Sequence, residues 1–403
     1  MNNSTIRGKK LLVQGAGRGN VGIVKAAKEN GVFTIVTGLG GDYPCSVLAD
    51  KECYADITDC EAVVKVAIDN KVDGAVICCS DTGLRAVGRC NDMMNLCGIT
   101  ENSATLSSNK YMMKELLLAN DVRTAAFRKV YNRDDLQKAV GELGFPVIIK
   151  AVDLQGSRGI NIVKSPDLLI QSFDNVMNQT HEEYCIVEKF LSGREYGAQS
   201  FVYDGKVLFI LPHGDETIMC KTAVPVGHYI PLDMSEALLE DTSLQVTKAI
   251  KALGLDNCPV NVDLIEVDGK AYIIELSGRV GANCLSELVS NYFGINYYEM
   301  ILYTVLGENP ITLFEQRKEP SATMARMVES DKSGVVDSIM IPSLPDTEVC
   351  MFVKEGNEIR KFTNSNDAIG QVVVKGASLE KCREMIDKAM NSIIIRLNEA
   401  EES

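Results

Sequence analysis

Residues Asn261–Asn283 read NVDLIEVDGKAYIIELSGRVGAN, and the reading of this stretch decides the fold. Two apolar runs flank Asp268-Gly269, a dipeptide that favours a tight hairpin turn. Asp263 falls on the first strand, Glu275 on the second, and Arg279 four residues beyond. Carboxylates set beside apolar Val262, Leu264, Ile273 and Ile274 are costly unless a cation or a metal compensates them. An oxygen-only pair suits a hard cation such as Mg²⁺. A strict two-residue turn with regular pairing would put the two acids on opposite faces. A three-residue loop with Gly269 as a left-handed bulge puts them on one face, and this is the expectation taken.

The chain has 403 residues, enough for two or three domains. Its net charge of −14 argues against non-specific binding to nucleic acid or to an anionic membrane. An anionic substrate therefore needs local lysines and arginines. The 13 cysteines form no Cys-x-x-Cys pair, which points to reduced thiols in a cytoplasmic protein rather than a zinc or redox site. With only His181, His213 and His228, a histidine-rich metal site is not expected. No signal peptide and no stretch of ~18 apolar residues is visible.

From the N-terminus, strand Lys10–Val13, the glycines Gly15, Gly17, Gly19 and Gly22, a helix to about Asn30 and strand Val32–Val36 make a βαβ opening. Gly17, Gly19 and Gly22 fit G-x-G-x-x-G, a turn that can cradle a pyrophosphate. A NAD site wants an acid at the end of the second strand, where Thr37-Gly38 stands instead. A plain tight turn is expected. The alternation continues through helix 59–70, strand 72–79 and helix 82–96. Next come a helix from Ser107 to Asn120, capped by Ser107 or Ser108, and strand Val147–Lys150. Gln155-Gly156-Ser157-Arg158-Gly159 and strand Ile160–Val163 complete a hairpin lid whose N–H groups can fold onto phosphates. Lys150 supplies a phosphate counter-charge at its edge. Helices are expected at 235–252, 284–291, 297–306 and 379–397.

These pieces resemble the ATP-grasp superfamily of carboxylate–amine ligases over nearly the whole chain. The resemblance implies an α/β fold: a Rossmann-like N-terminal domain (1–106), an ATP-grasp region (107–310, lid about 124–190) and a C-terminal subdomain (311–403). Asn109-Lys110 resembles the start of the family's phosphate-lysine helix, and Val147–Lys150 the strand of its second phosphate lysine. Gly156, Ser157 and Gly159 resemble its phosphate loop. Glu188-Lys189-Phe190-Leu191 resembles the hinge that binds adenine, with Glu188 toward the exocyclic amine and Leu191 offering backbone. Glu195 matches the ribose acid, Asp263 and Glu275 the metal-binding acids, and Arg279 the arginine that steadies the acyl phosphate. The family usually has Glu where Asp263 stands and Asn where Ser277 stands, so Ser277 is expected as a weak ligand. Pro225–Pro231 is similar to a Gly-His-x-x-Pro element of amino-acid and dipeptide ligases, which places His228 in the substrate pocket.

What the resemblance implies is an ADP-forming ligase. It would use ATP and Mg²⁺, with Mn²⁺ as a substitute, to join a small-molecule carboxylate, an amino acid, to an amine. A purine-pathway or other small-metabolite ligase is the alternative, and a non-catalytic nucleotide-binding module is the rival from another class. A homodimer is compatible with this reading.

Overall fold

The computed structural model describes residues 5–155, 158–219 and 223–398. Gly156 and Ser157, two of the expected phosphate-loop residues, lie outside the described residues. The chain divides into two compact units: residues 1–210, 234–280 and 301–310 form one, and 211–233, 281–300 and 311–403 the other.

The first unit opens with a parallel sheet of four strands in the order Lys51–Tyr54, Phe33–Gly38, Lys10–Gln14, Gly74–Val76. Strands Lys10–Gln14, Phe33–Gly38 and Gly74–Val76 are largely buried, as the inside of a parallel sheet covered on both faces requires, whereas the edge strand Lys51–Tyr54 is exposed or half-buried. The glycine-rich turn contains a short 3₁₀ segment, Arg18–Asn20, and leads into helix Val21–Glu29. Asn20 fills this turn from within. Its Nδ2 donates to the carbonyls of Gln14 (2.9 Å) and Gly15 (2.8 Å), and its Oδ1 accepts from the Cys78 amide (2.8 Å). Thr37 donates to Gln14 Oε1 at 2.6 Å and is fully buried. A tight turn thus joins the first strand to the helix.

Helix Lys110–Ala119 corrects the sequence expectation at its start. Asn109, not Ser107 or Ser108, is the cap, because its Oδ1 accepts from the amides of Tyr111 and Met112. A separate helix, Glu101–Ser108, precedes it. The lid is an antiparallel sheet ordered Phe127–Val130, Cys185–Lys189, Val147–Ala151, Ile160–Val163. Helices Arg133–Leu143 and Leu169–Met177 pack Leu136, Val140, Phe173 and Val176 against its apolar face. Gly159 closes the hairpin at φ 63°, and a Cβ there would lie 2.8 Å from the Ala151 Cβ. Both the conformation and the space demand glycine.

The decisive hairpin comprises strands Cys258–Val267 and Lys270–Ser277, with Arg194–Tyr203 pairing the outer side of the first. Its turn is the two-residue one. Val267 pairs Lys270, and Asp268 and Gly269 both have positive φ (51° and 71°), as a type I′ turn needs. The expected loop bulge at Gly269 is thus corrected. The extra residue is Ile274, beyond the fourth pair from the turn, where the register shifts between Asp263 and Leu264. That shift sets Asp263 directly opposite Glu275, so both acids share one face.

In the second unit, Ala223–Ile230 pairs Ala322–Val328, which pairs Gly370–Gly376, which pairs Thr347–Met351. Helix Leu379–Ser392 buries Cys382, Ile386 and Ala389 in the core of this unit with Met324, Val372 and Val374. The helix ends earlier than the expected 397. Its β-branched continuation, Ile394–Asn398, pairs as a strand with Gly334–Met340.

Candidate active site

Within the first unit, the end of strand Cys185–Lys189 brings Glu188 into the protein interior at 2% exposure. Its Oε2 lies 3.1 Å from Lys150 Nζ and 3.3 Å from Lys114 Nζ. Strand pairing places Ile148, two residues before Lys150, opposite Glu188, so both charged side chains leave the lid sheet on the same face. Lys114, one helical turn beyond Lys110, also donates to Thr124 Oγ1 at 2.5 Å. Burial pushes the Lys114 ammonium down to about 8, against the raising pull of Glu188. Burial alone would raise the Glu188 carboxyl, yet the two lysines hold it below its usual value. Its second oxygen, Oε1, is buried and accepts no hydrogen bond. A buried charged oxygen without a donor is expensive, and sites where this is tolerated are commonly functional.

Lys110 bridges the lid and the acid hairpin. Its Nζ donates to the Leu154 carbonyl at 2.7 Å and pairs with Glu275 at 3.3 Å. Asp263 Oδ1 accepts from Asn261 Nδ2 at 3.3 Å, and Asn261 in turn accepts from Gln199 at 2.6 Å. Two facing carboxylates and no nitrogen or sulfur ligand make a donor set that fits Mg²⁺.

Arg279 does not stand alone. Asp81, from the loop after strand Gly74–Val76, accepts from Arg279 Nε at 2.9 Å on one oxygen and from Nη2 at 2.7 Å on the other. Ser277 also donates its hydroxyl to Asp81 Oδ1. Burial would raise the Asp81 carboxyl, but Arg279 holds it below the usual carboxylate range. Arg279 Nη1 donates to the Val280 carbonyl at 3.2 Å. A guanidinium has five N–H groups, so these three bonds leave two N–H groups for an anion. The loop carrying Asp81 is tied down by the Cys79 amide, which donates to the Val280 carbonyl at 3.3 Å.

The remaining predicted residues divide. Glu195, on strand Arg194–Tyr203, is exposed and pairs Ile265 in the ladder. The Lys189 side chain turns away to the carbonyls of Gly144 (3.1 Å) and Phe145 (3.2 Å), and its amide donates to the Ala126 carbonyl at 2.8 Å. The Phe190 amide donates to the Pro146 carbonyl at 3.1 Å, and Leu191 follows it outside the strand. His228 belongs to the second unit, where it meets Asp215 and His213. Sequence reasoning missed Asp81, Lys114 as a site cation, and the Asp215–His213 pair. Only the last had a signal, an alternating His-x-Asp on a strand.

Comparison with known proteins decides the family. A phosphoribosylglycinamide synthetase from Anaerococcus prevotii is 47% identical, with a TM-score of 0.86, over 97% of this chain and 100% of that one. The chain belongs to the ATP-grasp superfamily of ligases. The phosphoribosylglycinamide synthetase ATP-grasp (A) domain matches residues 108–220, and the L-amino acid ligase C-terminal domain 2 matches residues 326–398. A formate-dependent phosphoribosylglycinamide formyltransferase from Prochlorococcus marinus is 27% identical over 96% of this chain and 97% of its own length. The L-amino acid ligase of Bacillus licheniformis, 18% identical with a TM-score of 0.80 over 98% and 100% of the two chains, shares the fold. Of the uncharacterized protein y4rH from Sinorhizobium fredii, 24% identical, the chain spans 65%. As an ATP-grasp member the protein is an ADP-forming ligase that uses ATP and Mg²⁺. Among the described residues no helix is long and apolar enough to cross a membrane.

Proposed function

We propose that this ligase joins a carboxylate to an amine through an acyl phosphate. A carboxylate oxygen attacks the γ-phosphorus of ATP and the bond to ADP breaks. The amine nitrogen then attacks the acyl carbon, phosphate leaves, and the nitrogen loses a proton. The observation that carries the reading is the buried, unmatched Glu188 Oε1 beside two lysines, an acceptor suited to the exocyclic amine of adenine. In this reading Leu191 and its neighbours offer backbone to the base, Glu195 meets the ribose, and Lys110 and Lys150 face phosphate. Asp263 and Glu275 hold the metal, with Mn²⁺ as a substitute. When bound, Mg²⁺ neutralises phosphate charge. Arg279, set by Asp81, grips the acyl phosphate. Ser277 serves through Asp81 rather than as a metal ligand. Such sites accelerate chiefly by positioning and charge neutralisation.

The carboxylate proposed is an amino acid, supported by the match of residues 326–398 to an L-amino acid ligase domain and by the Gly-His-x-x-Pro element that carries His228. A second reading, a phosphoribosyl substrate, is favoured by the name of the 47% identical relative. Phosphate release should be screened with ATP, Mg²⁺ and all pairs of amino acids. Parallel arms use glycine with phosphoribosylamine, and formate with phosphoribosylglycinamide. Release only in an amino-acid pair supports the first reading. Release only with glycine and phosphoribosylamine keeps the amino-acid carboxylate and replaces the amine; release only with formate and phosphoribosylglycinamide replaces the reading. Release of pyrophosphate instead contradicts both.

A further inference from the structure

We propose that His213, Asp215 and His228 form a second metal site, selective for a zinc-class dication rather than Mg²⁺. The three residues lie within the second unit, on adjoining strands. Asp215 and His228 are directly opposite in the ladder, and His213 lies two residues before Asp215, so the strand period of two puts all three on one face. His213 Nδ1 is 3.0 Å and His228 Nδ1 2.6 Å from the same oxygen, Asp215 Oδ1. One ligand atom from each residue can be chosen so that all lie within 4.8 Å of one another. The two rings stand edge to face, with centroids 5.2 Å apart.

Charge and burial point the same way. The histidine side chains are 3% and 7% exposed. Among the described residues no lysine or arginine pairs with Asp215. Asp215 is a half-buried carboxylate with two buried imidazoles on one oxygen, and a bound dication would take up its charge. Ligation asks for neutral imidazole and ionised carboxylate.

Two imidazoles and one carboxylate make an N₂O donor set, the kind that selects zinc and its neighbours. Metal–ligand bonds of about 2.0–2.2 Å in a tetrahedral site give N···O edges of roughly 3.3–3.6 Å. Starting from 3.0 Å at His213 and 2.6 Å at His228, the cluster opens by roughly 0.3–0.6 Å at His213 and roughly 0.7–1.0 Å at His228 to admit an ion. Sites built on paired strands hold geometry better than loop sites. Three protein ligands leave a fourth position for water or a substrate group. The donor set differs in kind from the oxygen-only Asp263–Glu275 pair, so the two sites would sort metals by chemistry. This inference does not depend on the nucleotide reading.

The full-length protein, stripped with a chelator and kept in millimolar Mg²⁺, is titrated with ZnCl₂ alone by calorimetry and with CoCl₂ by visible absorption. The expected result is one high-affinity Zn²⁺ per chain and Co²⁺ ligand-field bands. Asp215→Asn and His228→Gln should each weaken the zinc affinity by about 100-fold or more, whereas the His181→Gln control leaves it unchanged. No zinc uptake, or equal uptake by wild type and Asp215→Asn through the free thiols, overturns the proposal. Should the variants fail to fold, imidazole ¹⁵N spectra of the wild type decide. Loss of both Nδ1–H signals on zinc addition supports the site. Their persistence at saturating zinc shows a hydrogen-bonded cluster only, and the proposal falls.

Discussion

At the Gly15–Gly22 turn, the protein's own side chains reach inward and bind. Asn20 satisfies two carbonyls and the Cys78 amide, and Thr37 donates to Gln14. Around Glu188 the opposite holds. Three charged side chains are buried together, and one carboxylate oxygen still lacks a donor. The first region carries the more familiar nucleotide motif; the second carries none that stands out. A motif reports the backbone path, whereas an unmet buried donor or acceptor reports where a ligand belongs.

The strongest way to break this contrast is to remove the central carboxylate. Glu188→Ala leaves Lys114 and Lys150 buried without their partner, which should destabilise the fold by about 3–5 kcal/mol. Urea unfolding checks this. A loss near the ordinary ~1 kcal/mol of a surface pair would mean that the charges are solvated and the contrast is false. Arg279→Lys comes next. Lysine keeps the charge but cannot serve Asp81 and an anion with one planar fork. Turnover on whichever substrates the screen finds should fall by the equivalent of about 2–4 kcal/mol, with ADP affinity unchanged. An unaltered rate would remove Arg279 from the chemistry.

These two predictions draw on unequal amounts of sequence information. Lys150, Glu188, Asp263 and Glu275 were singled out through the resemblance to the ATP-grasp superfamily. The placement of the two acids on one face was expected, but it rests on a bulge at Asp263/Leu264 that no turn residue announces rather than on one at Gly269. Asp81 was illegible, since it reaches Ser277 and Arg279 across 196 and 198 residues of sequence. No local pattern encodes such a contact. Asn109 could have been read as a cap, and was passed over for serines that also cap helices well. The final helix was drawn too long because its apolar periodicity runs into an Ile-rich strand, and pairing decided the matter there.

The pH dependence sharpens the comparison further. Burial holds Lys114 down at about 8, against the usual 10.5 of a lysine. Between those values the unfolded chain binds more protons at this position than the folded one, so the Lys114 contribution to stability rises with pH from about 8 to about 10.5. Below that window the buried ammonium costs a constant amount, up to ~3 kcal/mol. The difference in unfolding free energy between wild type and Lys114→Met should therefore move in favour of wild type as pH increases through the window. A flat difference would contradict it. The smallest expected effect lies in the filled turn. Asn20→Ala strands two carbonyls and one amide, for a loss of about 1–3 kcal/mol, without changing ADP affinity.

Calorimetric titration of the wild-type protein with ADP plus Mg²⁺, and separately with NAD, tests the central claim most directly. The account predicts one ADP site per chain, weakened by Glu188→Gln and unaffected by Asn20→Ala, with no heat from NAD. Binding of NAD without ADP, or ADP binding that Asn20→Ala abolishes and Glu188→Gln spares, would contradict it.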